Sequence, residues 1–202
     1  MEKYIFKAND FKDQVIQTFR DGNNMGESCG ISQLDTTFRV RPGFFYTFTG
    51  WPGAGKSEFV TQLMINQAVL RGRKSCVYSP ESYPIENMIE TIAHNFLGKS
   101  VNKAYENCCT EIELIHAIDW ISENFVFLNW EDTPDVNLLI DAWKHCKKFE
   151  KSRVFCIDPF NSLTNDDETG NMGLNLKDYL NKMVGFTHNE KVVTFVLSLI
   201  HI

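Results

Sequence analysis

One segment of eight residues has the composition and spacing of a phosphate-binding loop. It fits the pattern GxxxxGK[ST] at every defined position and consists of Gly50, Trp51, Pro52, Gly53, Ala54, Gly55, Lys56 and Ser57. Its glycines let backbone N–H groups turn toward phosphate oxygens without obstruction by a Cβ atom. The motif predicts that Lys56 contacts the β- and γ-phosphates and that the Ser57 hydroxyl ligates Mg²⁺. The sequence therefore predicts a site for ATP, or another nucleoside triphosphate, with its Mg²⁺ ion.

The segments on either side of this loop favour a strand before it and a helix after it. Residues 44–49 are aromatic and β-prone, and apolar residues recur at helical spacing from Phe59 to Leu70. This context suits the motif mechanically, because a helix N-terminus adds partial positive charge beside the phosphates. The alternative is a glycine-rich turn that matches by chance, and the agreement of both flanks argues against it.

Two acidic residues follow other predicted strands and are candidates to complete such a site. Asp158 comes directly after the apolar run 154–157, and Glu81 follows the predicted strand 74–79. Ligands of parallel α/β sheets bind beyond the carboxyl ends of the strands, so both acids are expected near the loop. We predict that Asp158 holds Mg²⁺ through water and that Glu81 orients the water attacking the γ-phosphate. The alternatives are a helix cap for Asp158 and a solvated turn residue for Glu81.

The rest of the chain alternates predicted strands with predicted helices. This alternation implies an α/β fold with a mostly parallel sheet flanked by helices. The predicted strands are residues 44–49, 74–79, 125–130, 154–157 and 192–196. Beyond the helix that follows the loop, helices are predicted at residues 8–20, 85–96, 112–121, 138–146 and 174–184.

Composition and charge limit the class of protein only broadly. With 202 residues and 43% hydrophobic residues, the chain can bury one core. A net charge of −6 argues against a protein that wraps nucleic acid on its outer surface. It does not argue against a ring-shaped motor that contacts DNA only through loops lining its channel. No stretch approaches about 20 apolar residues and the N-terminus lacks a signal core. We therefore expect a cytoplasmic protein of a bacterial or phage-infected cell, without membrane contact.

The first predicted helix has one apolar face. Residues 8–20 place Phe11, Val15 and Phe19 together, and the polar segment 21–26 follows. The helix packs either within its own chain or on a neighbouring subunit, and the sequence leaves both open. We assign residues 1–29 to an N-terminal linker helix and flexible segment, and residues 30–202 to the core domain.

The ordered motifs resemble the RecA-like ATPase domain of hexameric replicative DNA helicases, especially the Twinkle-type and phage primase-helicase branch. The likeness covers roughly residues 30–196. It is carried by Gly30-Ile31-Ser32-Gln33-Leu34-Asp35 leading to Arg41-Pro42-Gly43, the loop continuing through Glu58 and Phe59, Ser79-Pro80-Glu81, and Ile157-Asp158-Pro159-Phe160-Asn161. The resemblance implies that Lys56 and Ser57 bind nucleotide and Mg²⁺, that Glu81 is the hydrolytic base, and that Asp158 is the Walker B acid.

The same resemblance implies a homo-oligomeric ring, hexameric in this family, that couples ATP hydrolysis to DNA unwinding. Single-stranded DNA would be bound through loops mostly absent from this chain. The implied strand order is 125–130, 74–79, 154–157, 192–196, 44–49, which leaves the strand before the loop at an exposed edge. The family pattern continues past residue 196, so we expect C-terminal strands and an arginine finger to be missing and the isolated chain to be weakly active or inactive. Residues 197–202 resemble a translated adapter sequence and are expected to be non-native.

Two other functions stay open at this point. One is a RecA-like recombination or regulatory ATPase, and the other is a nucleotide-binding fragment without turnover. A small-molecule kinase shares the loop but usually needs an arginine-rich lid, and Arg153 is the only arginine in residues 74–202. The sequence therefore favours an ATP-hydrolysing helicase motor over these alternatives.

Overall fold

Five short strands pair in parallel at the centre of the fold. The computed structural model describes residues 5–22, 26–163 and 172–198. Its strands are β1 (Phe45–Thr49), β2 (Ser75–Tyr78), β3 (Phe125–Leu128), β4 (Val154–Ile157) and β5 (Val193–Ser198). They lie in the order β1-β5-β4-β2-β3, and every neighbouring pair is parallel. The predicted α/β fold class and strand order are both confirmed.

Helices flank this sheet. In the described ranges they are α1 (Lys12–Asp21), α2 (Lys56–Arg71), α3 (Ile85–Leu97), α4 (Glu111–Asn124), α5 (Val136–His145) and α6 (Met172–Glu190). Short 3₁₀ turns cover Ala8–Phe11, Pro80–Ser82 and Phe160–Ser162, and a π-helical segment, Cys146–Glu150, continues α5. None of the helices described is long and apolar enough to cross a lipid bilayer.

Local signals set several of the helix ends. At the start of α4, the Thr110 hydroxyl accepts a hydrogen bond from the Glu113 N–H, and the Glu113 carboxylate accepts one from the Thr110 N–H. Helices α2 and α3 end at Gly72 and Gly98, both in the left-handed conformation. Helix α6 extends six residues beyond the predicted end at residue 184, to Glu190.

Each face of the sheet is covered by its own apolar layer. On one face, strand residues including Val77, Val154 and Phe195 pack against α2, α3 and α4. On the other face, Phe155 and Val196 pack in a second cluster with residues of α5 and α6. All four residues of β4 are buried, which is why its sequence is a continuous apolar run.

The last strand is longer than predicted. Strand β5 continues through Leu197, which is buried, and Ser198, which pairs with Thr49. Residues 164–171 and 199–202 lie outside the described residues, so the expectation for residues 197–202 stays a prediction. Strand β1 lies at the end of the sheet, as predicted, and pairs only with β5 among the described strands.

One side-chain contact fixes the segment before β1 to α2. Asn66 donates a hydrogen bond to the carbonyl of the fully buried Cys29 at 2.9 Å. The next residue, Gly30, has a φ of +84°, and a Cβ atom there would lie 2.5 Å from the Asn66 side-chain nitrogen. Glycine is therefore required at position 30 for this contact as well as for the backbone conformation.

We expect Gly30→Ala to lower the free energy of unfolding more than Gly43→Ala does, by about 1–3 kcal/mol. Both glycines have a φ of +84°, so the backbone strain is matched, but a Cβ at Gly43 would meet no atom within 4 Å. The difference isolates the displacement of Asn66. Chemical denaturation followed by circular dichroism measures both values, and equal losses would contradict the contact.

Candidate nucleotide-binding site

The predicted phosphate-binding loop connects β1 to α2 at the carboxyl edge of the sheet. Gly53 and Gly55 have φ values of +75° and +77°, which favour glycine, and a Cβ on either would meet no atom within 4 Å. Helix α2 begins at Lys56. The first N–H groups of a helix have no acceptor within the helix, so α2 directs unpaired donors toward the loop. The loop therefore has the open shape and the donors that a polyphosphate needs.

The Lys56 ammonium group lies on the loop itself. It donates hydrogen bonds to the carbonyl oxygens of Gly50 at 2.9 Å and Trp51 at 3.0 Å. The Trp51 side chain beside it is 76% exposed, so its indole contributes little to the core. A phosphate oxygen would compete with these two carbonyls for the ammonium hydrogens, and it would win electrostatically because it carries a charge.

Asp158 and Ser57 meet beside the start of α2. The Asp158 N–H donates to the Tyr78 carbonyl at 3.0 Å, which extends the pairing of β2 and β4 by one residue. The Ser57 hydroxyl lies close enough to the Asp158 carboxylate to lower its pKa, and the positive charge of Lys56 also acts on it. The two predicted metal ligands are thus brought together, although they follow strands that β5 separates.

Burial raises the pKa of Asp158 above its ordinary value. Loss of solvation disfavours the charged carboxylate, and this is the largest effect. The nearby Ser57 hydroxyl and the Lys56 charge lower the pKa, but they offset burial only in part. A carboxylate whose charge is incompletely compensated, next to a hydroxyl oxygen, offers the oxygen ligands that Mg²⁺ prefers. The residues present therefore fit a Mg²⁺ ion.

Glu81 lies one strand away at the same edge. It is the middle residue of the 3₁₀ turn Pro80–Ser82 that follows β2, and β2 pairs directly with β4. Its side chain is exposed. No hydrogen bond or ion pair of the described chain joins Glu81 to Lys56 or Asp158. The structure thus brings Lys56, Ser57 and Asp158 together and leaves Glu81 nearby but separate.

Sequence reasoning missed three serines that hold the acidic residues in place. The hydroxyls of Ser79 and Ser82 are hydrogen-bonded to each other at 2.9 Å and close the turn that carries Glu81. The Ser162 hydroxyl donates to the Pro159 carbonyl at 2.6 Å and closes the turn after Asp158. The sequence does carry a signal for these serines. In both turns a serine lies three residues after the first residue of the turn, and serines at that position hydrogen-bond within turns.

Comparison with known proteins agrees with this arrangement. No protein-family model matches the chain. In an alignment of 171 residues that covers 79% of the chain, it is 26% identical to the Twinkle homolog protein, chloroplastic/mitochondrial, of Arabidopsis thaliana, and it spans 23% of that relative's length. Many solved structures are similar in fold. One is a DnaB-like replicative helicase described with its interactions with primase (TM-score 0.78, 20% identity, 96% of this chain and 48% of that one).

The second similar structure is a solved ATPase domain, with a TM-score of 0.71 and 19% identity over 95% of this chain and 71% of that one. These comparisons confirm the predicted RecA-like fold and the resemblance to the ATPase domains of replicative helicases. The chain covers about half of the DnaB-like helicase and less than a quarter of the Twinkle homologue. The likeness therefore concerns only a part of each of these two proteins.

Asp158→Asn is expected to raise the melting temperature near pH 7 by about 1–4 °C in the absence of Mg²⁺. The folded pKa lies above the unfolded value, so the ionised carboxylate destabilises the folded state at pH values above the folded pKa. The gain should shrink as the pH falls through that folded pKa and vanish below the ordinary value of 3.8. Asparagine keeps an acceptor for Ser57.

Thermal melts at pH 7 and pH 4 measure this effect. Asp119→Asn, which changes an exposed carboxylate on α4, is the control and should leave the melting temperature unchanged. A lower melting temperature for Asp158→Asn at pH 7 would show that the carboxylate stabilises the folded state and would contradict the assigned direction.

Proposed function

We propose that this chain is the ATP-hydrolysing motor domain of a replicative DNA helicase, acting as a homo-oligomeric ring on DNA. The observation that carries the proposal is the closeness of the Ser57 hydroxyl to the Asp158 carboxylate at the phosphate-binding loop. These are the two residues that the Mg²⁺ site of such an ATPase requires. The similarity to the Twinkle homologue, the DnaB-like helicase and the solved ATPase domain supports the assignment to this class.

Each residue of the site has a distinct part in this proposal. The loop from Gly50 to Ser57 and the first N–H groups of α2 bind the phosphates, and Lys56 places a positive charge on the γ-phosphate. Ser57 and Asp158 hold Mg²⁺, the latter through water. Bound Mg²⁺ supplies charge that neutralises the phosphate oxygens. Glu81 accepts a proton from the attacking water, and its position one strand from Asp158 keeps it off the metal.

Glu81→Gln is expected to reduce ATP hydrolysis by at least about a hundredfold while ATP·Mg²⁺ affinity stays within about threefold of wild type. Lys56→Ala is expected to weaken ATP binding itself, because it removes the cation on the loop. Fluorescent-nucleotide titration measures affinity and phosphate release measures turnover. Glu86→Gln, an exposed acid on α3, is the matched control and should keep both values.

The outcomes separate the possible functions. Hydrolysis by Glu81→Gln at the wild-type rate would remove Glu81 from the mechanism. Nucleotide binding without hydrolysis in the wild-type chain would indicate a binding domain that needs a partner's arginine for turnover. Hydrolysis with DNA strand exchange but no unwinding of a forked duplex would indicate a recombination ATPase.

The apolar face of α1 supports the oligomeric part of the proposal. None of its residues is buried, and Val15 and Phe19 are 64% and 86% exposed. A helix of ten residues is marginal on its own in water, so it needs a packing partner. Helix α4 exposes a stripe of Ile112, Ile115 and Ile118 at helical spacing. We propose that α1 of one subunit covers the α4 stripe of the next.

Phe19→Ser and Ile115→Ser are each expected to lower the mass of the oligomer in sedimentation velocity at micromolar protein. Both side chains are exposed within the single chain, so the stability of the monomer should not change. Arg20→Ser and His116→Ser place the same residue on the neighbouring positions of the same helices and serve as controls. An unchanged mass in Phe19→Ser, or equal loss in Arg20→Ser, would contradict the interface.

A further inference from the structure

A row of cations lies along the amino edge of the sheet, opposite the nucleotide site. One basic residue comes shortly before each of four neighbouring strands: Arg41 before β1, Lys191 before β5, Arg153 before β4 and Lys74 before β2. Backbone hydrogen bonds join these positions, since Val193 N–H donates to the Arg153 carbonyl and Arg153 N–H donates to the Lys74 carbonyl, both at 2.9 Å. Neighbouring strands are about 4.8 Å apart, so the four backbone positions span roughly 15 Å.

The end of the π-helical segment adds two more cations to this row. Lys148 and Lys151 are exposed, and Lys151 precedes Arg153 by two residues. We call these six residues the cation row: Arg41, Lys74, Lys148, Lys151, Arg153 and Lys191. None of them takes part in an ion pair of the described chain.

Nearby acids balance only part of the charge at this edge. Of the carboxylates that flank the cation row in sequence, Glu190 pairs with Lys147, and Glu150 is exposed. Two further cations of the same edge, Arg71 and Arg73, are already paired with Glu27. The whole chain has a net charge of −6, so the row is a local separation of charge and not a consequence of a basic composition.

Two exposed aromatic rings accompany the row. Phe44 is 46% exposed and lies under the Arg41 guanidinium, 4.9 Å from the ring centroid. Phe149 is 58% exposed and lies under the Lys148 ammonium at 5.0 Å. Burial in the core explains neither ring. An exposed ring beside a cation can stack on a base while the cation contacts the neighbouring phosphate.

We infer that the amino edge of the sheet is a binding site for single-stranded nucleic acid, in which the cation row contacts phosphates and the rings of Phe44 and Phe149 stack on bases. A duplex hides the faces of its bases, and an acidic peptide has none, so either would use the cations without the rings. Single strands expose both features that this edge complements. The site is separate from the loop that binds nucleotide and does not depend on hydrolysis.

The test is the affinity of the 202-residue chain for a fluorescein-labelled dT oligonucleotide of about 20 bases, measured by anisotropy over a range of salt. Lys151→Glu/Arg153→Glu is expected to weaken binding at least about tenfold and to reduce the slope of log K against log salt by about 1.4. Lys12→Glu/Lys177→Glu makes the same charge change at exposed lysines of α1 and of the first half of α6 and should stay within about twofold of wild type. Absence of binding by wild type, or equal losses in both pairs, would overturn the site.

A second variant tests the rings. Phe149→Ala is expected to weaken dT binding at least about fivefold, because stacking contributes to each bound base. Phe6→Ala removes a ring of similar exposure, 65%, that packs on Phe11 in the N-terminal segment, and should have no effect. Unchanged affinity in Phe149→Ala would show that the edge recognises charge alone and would overturn the role of the rings. Competition by polyglutamate or by phosphatidylserine vesicles as strong as by unlabelled dT would assign the edge to an acidic protein or a membrane and overturn the inference.

The proposed nucleotide site and the proposed nucleic-acid site can each be refuted independently of the other. Lys151→Glu/Arg153→Glu should bind ATP with wild-type affinity, which also reports that the variant is folded. If the wild-type chain binds dT but Glu81→Gln hydrolyses ATP normally, the proposed mechanism fails and the edge site stands. If dT binding is lost in Lys56→Ala and kept in Lys151→Glu/Arg153→Glu, the nucleic acid is held at the nucleotide side, and the edge site fails.

Discussion

The closeness of Ser57 and Asp158 depends on the register of the whole sheet. Strand β4 lies between β5 and β2, and Ile157 pairs with Val196 on one side and Tyr78 on the other. A slip of one residue would turn Asp158 toward the opposite face, because side chains alternate along a strand. The parallel direction of all five strands also puts the loop and both acids at one edge. Register and direction together therefore determine whether the site exists.

The site also contains a destabilising feature, which the apolar packing of the rest of the fold offsets. Two buried layers stabilise the sheet, whereas Asp158 is a partly buried carboxylate with a raised pKa. Gly53 and Gly55 adopt positive φ without any contact that a Cβ would disturb, so their conformation answers to the shape of the loop and not to packing. Incomplete charge compensation of this kind concentrates at functional sites, where a ligand would relieve it.

The parts of the structure that sequence predicted are those with strong local patterns. The apolar run before Asp158 predicted β4 to the residue, and the loop motif located the β1–α2 junction. The end of α6 was placed too early because residues 185–190 are mostly polar, yet Phe186 and Thr187 are buried by tertiary packing. The bonds from Lys56 to the loop carbonyls are conformational and leave no trace in residue order. The net charge of the whole chain gives no sign of the cation row, because its members Arg41, Lys74, Arg153 and Lys191 lie far apart in sequence and meet only through the strand order.

The opposite characters of the two sheet edges have a common origin in helix direction. Helix α2 begins at the carboxyl edge, where its partial positive charge favours phosphate, and ends at the amino edge, where its partial negative charge favours cations. This effect explains the positions of Arg71 and Lys147, which lie in last helical turns and are paired with carboxylates. Each such cation contributes about 0.3–1 kcal/mol to stability. The helix dipole does not explain why Phe44 and Phe149 are exposed beside cations. Folding alone does not favour this exposure either, since exposed apolar surface costs about 25 cal/mol per Å². The rings, more than the charges, therefore distinguish a nucleic-acid surface from a set of helix-terminal cations.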